Sequence, residues 1–138
     1  PINAGIGEDK ILKFYQDSLT PNVGASYLYN IRGKNAKITN VQGYSLETAL
    51  TKFKINHVDL LKSDCKNCEF LFNEKSLENV DMVKIEVATK MNTDKHTSDL
   101  LSLLNKTGFD CVLYKINPYD YTSNNVFTHI LGKKHNKS

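Results

Sequence analysis

The sequence predicts an α/β protein with an open, mostly parallel sheet and an antiparallel C-terminal hairpin. Three observations carry that prediction. From residue 40 onward, segments with a helical apolar stripe alternate with short buried strand-like runs. Two of those runs end on or near a carboxylate. The last two strand-like runs are separated by turn residues alone, which leaves no room for a helix and makes the pair antiparallel.

The elements follow in order. Residues 1–7 read as a short strand that leads to a turn at Gly7-Glu8-Asp9. Ile11–Tyr15 and Ala36–Gln42 read as exposed strands, with a loop over Thr20–Gly24. Ser45 is placed to cap a helix in which Leu46, Ala49, Leu50 and Phe53 form one stripe. Val58 to Asp64 is an apolar run that ends on a carboxylate. Residues 65–75 carry Cys68, Leu71 and Phe72 at helical spacing. Val80–Val87 reads as a second buried strand, with Glu86 near its end. Thr97 or Ser98 caps the next helix, Leu100, Leu101, Leu103 and Leu104 are its buried residues, and Gly108 stops it. Phe109–Ile116 and Asn125–Leu131 form the hairpin around Asn117-Pro118-Tyr119-Asp120 and Ser123-Asn124.

Composition bounds the function. A chain of 138 residues is about one domain, and no repeat or linker divides it. With 40% hydrophobic and 24% charged residues it is an ordinary globular composition. No apolar run reaches the length of a membrane span and no secretory leader opens the chain, so a cytoplasmic protein is expected. The formal charge is +3, yet Arg32 is the one arginine. Readers of nucleic acid lean on arginine and on clustered charge, so a nucleic-acid partner is not expected. Three cysteines without an export signal imply a reducing compartment and no disulfide framework.

The most informative stretch is Val58-Asp59-Leu60-Leu61-Lys62-Ser63-Asp64-Cys65-Lys66-Asn67-Cys68-Glu69. A buried strand that ends in Asp64 and turns into a helix sets that carboxylate at the carboxyl edge of the sheet. Open α/β folds bind ligands in the crevice outside that edge. The alternative is that Asp64 caps the helix that follows.

This stretch resembles the signature of FkbM-type methyltransferases, whose strand-to-helix turn reads approximately Lys-x-Asp-x-Glu-Gly-x-Glu. Lys62, Asp64, Cys65, Cys68 and Glu69 match, while Lys66-Asn67 stands where the family has Glu-Gly. Asn3-Ala4-Gly5-Ile6-Gly7, Ser45-Leu46-Glu47 and Val83-Lys84-Ile85-Glu86-Val87 resemble the family's flanking blocks, in the same order. The resemblance implies a Rossmann-like methyltransferase sheet and S-adenosylmethionine as cofactor. It also implies that the glycine-rich donor loop and the N-terminal donor-binding strands lie upstream of residue 1, this chain being the C-terminal part of the domain.

The activity so implied is methyl transfer to a hydroxyl of a sugar, lipid or other small molecule. Asp64 is then the catalytic residue, orienting or deprotonating the hydroxyl. Lys62, Glu69 and Glu86 are the substrate-binding candidates, and each also reads as a paired edge charge. The other reading is a catalytically degenerate interaction module that kept the fold and lost the donor site. An open strand edge favours a homo-dimer.

Cys65-x-x-Cys68 leaves core packing, a redox dithiol and a metal site open. The nearest further metal-ligand candidates are His57, at the other end of the strand, and the distant Cys111, and no metal is expected. His96, His129 and His135 read as surface or strand histidines. Tyr114, Tyr119, Tyr121 and Phe127 read as packing for the hairpin, with ligand stacking as the alternative.

Overall fold

The computed structural model describes residues 3–17, 36–64, 68–88, 97–116 and 127–135. The chain divides into two compact units, residues 1–49 and 50–138.

In the first unit, β1 (Gly5–Ile6), β2 (Ile11–Asp17) and β3 (Ala36–Tyr44) form a sheet of order β1-β3-β2. β2 runs antiparallel to β3 and β1 runs parallel to it. Leu12 is 1% exposed and anchors this small core, whereas Ile11 and Ile38 face solvent. Period-two alternation on a half-buried sheet accounts for that difference between neighbours. α1 (Leu46–Lys52) opens where the sequence places it. The Thr48 N–H donates to Ser45 Oγ at 3.1 Å. Asp9 reinforces the cap: its carboxylate accepts from the Ser45 N–H at 2.8 Å and from the Thr48 hydroxyl at 2.9 Å.

The second unit is built on β4 (Val58–Ser63), β5 (Val80–Ala88), β6 (Phe109–Ile116) and β7 (Phe127–Lys134). The sheet order is β4-β5-β7-β6. β4 and β5 are parallel, and β7 is antiparallel to both β5 and β6. The last strand therefore lies between β5 and β6. α2 (Thr97–Lys106) packs on β6 through Leu100 and Leu104, which are buried. Val83, Ile85, Val87, Phe109 and Ile130 complete the core on the same face. Burying side chains of this size contributes about 1.5–3 kcal/mol each. The opposite face shows Leu60, Lys62, Met82, Lys84, Val112 and Leu131 to solvent.

Two expectations are corrected. The fold is not a mostly parallel, Rossmann-like α/β sheet. The described residues form two separate mixed sheets and two α-helices. β3 is flanked on both sides, by β1 and by β2, so among the described residues the first sheet has three strands. The segment over 65–75 is not an α-helix in its described part. It forms two short 3₁₀ turns, Cys68–Leu71 and Lys75–Leu77. Side-chain to backbone bonds offer the chain an alternative to helix there. Asn73 Oδ1 accepts from the Ser76 N–H at 2.8 Å, and the Ser76 hydroxyl donates to the Asn73 carbonyl at 2.8 Å. Lys134 adds to this by donating to the carbonyls of Leu77 and Glu78 while its ammonium sits 5.1 Å from the Phe109 ring centre.

Most remaining elements fall near their expected places, although the last strand runs to Lys134 rather than Leu131. The hairpin of β6 and β7 is antiparallel, β5 extends to Ala88, and α2 ends before Gly108, whose φ is +89°. Thr20–Gly24 lies outside the described residues.

Candidate functional site

Strand direction decides which side chains meet. β4 and β5 run the same way, and β7 runs against them. The carboxyl ends of β4 and β5 therefore share an edge with the amino end of β7. Glu86 stands directly opposite His129 in the β5–β7 register. Ser63 pairs with Ile85, so Asp64, one residue past the end of β4, takes the next place opposite Glu86. Asp64, Glu86 and His129 thus form one row across three strands at this edge.

The row has a graded environment. Asp64 is exposed. The Glu86 and His129 side chains are largely buried, at 21% and 14% exposure, with Oε2 and Nε2 3.8 Å apart. A carboxylate beside an imidazole limits the orientations the ring can take. From the sequence, His129 reads only as a surface or strand histidine. The signal that locates it is the register, which depends on β7 inserting between β5 and β6 and is not written in local spacing.

The other expected site residues are placed differently. Lys62 is exposed on the sheet face, opposite Lys84, and short of the edge. Glu69, in the first 3₁₀ turn, is 0% exposed. Cys68 is buried at 4% exposure and is disulfide-bonded, which corrects the expectation of no disulfide framework. Cys111 is free and half-buried, and burial first, then the Asp110 charge, pushes its thiol pKa up. Cys65, Lys66 and Asn67 lie outside the described residues, as do His96, Tyr119 and Tyr121 and the side chains of Tyr114 and Phe127. His135 is exposed, with Nε2 2.8 Å from Asp110 Oδ1.

The donor side of the expected reaction is not built by the described residues. Gly5 and Ile6 lie in a strand paired with β3, and they do not form a turn that opens a helix. A dinucleotide-type cradle requires that strand–turn–helix context. At the edge of the second sheet remote from Asp64, a hollow of about 750 Å³ is lined by Glu74, Glu78, Asp81, Lys106, Lys133 and His135, among others. No described helix is long and apolar enough to cross a membrane.

The chain matches no known protein family, no curated protein and no solved structure.

Proposed function

We propose that this chain supplies the acceptor side of an S-adenosylmethionine-dependent O-methyltransferase, acting on a hydroxyl of a sugar, lipid or other small molecule. The observation that carries the reading is the row of Asp64, Glu86 and His129 at one sheet edge. The resemblance of Lys62-Ser63-Asp64 and of Val83–Val87 to the FkbM signature supplies the reaction class.

The cofactor, when bound, supplies the methyl group. The task left to the protein is to align the acceptor oxygen and take its proton. The His129 imidazole accepts the hydroxyl proton, and Glu86, whose Oε2 stands 3.8 Å from Nε2, stabilises the imidazolium that forms. Asp64, exposed at the same edge, orients the hydroxyl or a neighbouring group of the acceptor by accepting its hydrogen bond. A positioned general base contributes about 10²–10⁴-fold. Lys62 attracts an acidic acceptor from the adjacent face. Glu69, being buried, acts as structure in this reading.

Calorimetry with S-adenosylmethionine on the protein that carries this segment tests the reading, followed by a labelled-methyl assay over hydroxyl-bearing acceptors. Cofactor binding is expected to be unchanged in His129→Ala and Asp64→Asn. The transfer rate is expected to fall about 10²–10⁴-fold in the first and by less in the second. An intact protein that binds no S-adenosylmethionine ends the catalytic reading and leaves a non-catalytic interaction module in its place.

A further inference from the structure

The opposite end of the parallel pair β4–β5 holds a second cluster. His57 immediately precedes β4 and Asp59 is its second residue, so strand alternation turns both to one side. Val58 pairs with Val80 and Leu60 with Met82, which sets Asp59 opposite Asp81 on the neighbouring strand. One ligand atom from each of His57, Asp59 and Asp81 falls within 4.8 Å of the other two. His57 Nε2 is 3.5 Å from Asp59 Oδ1 and 3.3 Å from Asp81 Oδ2.

Those separations have a simple reading. They exceed the range of a good N–H···O hydrogen bond, which ends near ~3.2 Å. They match the edge of a tetrahedron whose centre lies about 2.0–2.2 Å from each corner, an edge of roughly 3.3–3.5 Å. Two carboxylates directly opposite on adjacent strands also repel one another. With a neutral imidazole the cluster carries two uncompensated negative charges, which one divalent cation neutralises. One imidazole nitrogen with two carboxylate oxygens suits zinc or a neighbouring transition metal better than magnesium, which prefers an all-oxygen octahedron.

We propose that His57, Asp59 and Asp81 form a divalent transition-metal site at the amino edge of the second sheet. The side chains are about half exposed or more, at 55%, 91% and 57%, so water completes the coordination and exchange is fast. Asp81 also lines the hollow of about 750 Å³ described above. The site is remote from the Asp64–Glu86–His129 row, and the proposal is independent of the methyl-transfer reading.

Zinc titration calorimetry on the whole chain tests the site. The chain carries Cys111→Ser to remove the free thiol, without reductant so that Cys68 stays bonded. One zinc per chain is expected, with micromolar affinity. His57→Ala and Asp81→Asn are each expected to weaken binding at least about tenfold, with an unchanged circular dichroism spectrum because these side chains are exposed. Asp110→Asn, which removes the exposed His135–Asp110 contact, is expected to leave zinc binding as it was. Cobalt(II) is expected to give a visible absorption band in the intact chain that both ligand variants lose. Absence of saturable zinc uptake, or equal affinity in His57→Ala, overturns the proposal.

Discussion

Asp9 shows how one side chain ties a turn to a helix. It is exposed, yet its carboxyl is held below the ordinary value of 3.8, first by the Ser45 N–H and further by the Thr48 and Ser45 side chains. Because the folded value is depressed, the stability this contact gives is complete above the ordinary value. It is lost as pH falls through the lower, folded value. An NMR titration of the Asp9 carboxyl is expected to show a midpoint below 3.8. In Asp9→Ala, the acid-dependent loss of structure around Ser45–Thr48 should disappear. A midpoint at or above the ordinary value would mean that the cap is not formed. Ser45 as a cap was legible in the sequence, since Ser followed by an apolar stripe is a local signal. Asp9 was not, because it reaches the helix across 36 positions of chain. His129 was missed for the same reason: its partner Glu86 lies on another strand.

At the scale of elements, α2 and the strands beneath it carry the second unit. Leu104 is 0% exposed and packs in the core beside β6, whereas Gly108 has open space around the position of a Cβ but a φ of +89°. Leu104→Ala should therefore cost about 2–5 kcal/mol through lost burial and a residual cavity. Gly108→Ala should cost only about 1 kcal/mol, all of it backbone strain. Urea unfolding of the two variants checks the order, and a larger loss at Gly108 would contradict this packing. Both ends of α2 were visible in the sequence, because helix caps and stops are short-range signals. The segment after Asp64 was misread as a helix, since its apolar spacing is helical while Asn73 and Ser76 divert the backbone into 3₁₀ turns.

For the whole molecule, the cysteines give the most direct check. The chain has three, of which Cys111 is free and Cys68 lies in a disulfide, a bond that consumes two. Titration in denaturant without reductant is expected to find one thiol per chain, and after reduction all three. Finding three before reduction would mean that Cys68 is a plain core thiol, as its apolar spacing alone implies. Local pattern determined the kind and limits of most elements: β4, β5, α1, α2 and the antiparallel nature of β6 and β7. Those follow from periodicity and capping, which act over a few residues. Tertiary structure alone decided that β7 inserts beside β5, that β1 to β3 form a sheet of their own, that Glu69 is buried, and that His57 meets Asp59 and Asp81. Strand neighbours are chosen by hydrogen-bonding and burial between distant segments, and period-two alternation gives the face of a residue without naming the strand beside it.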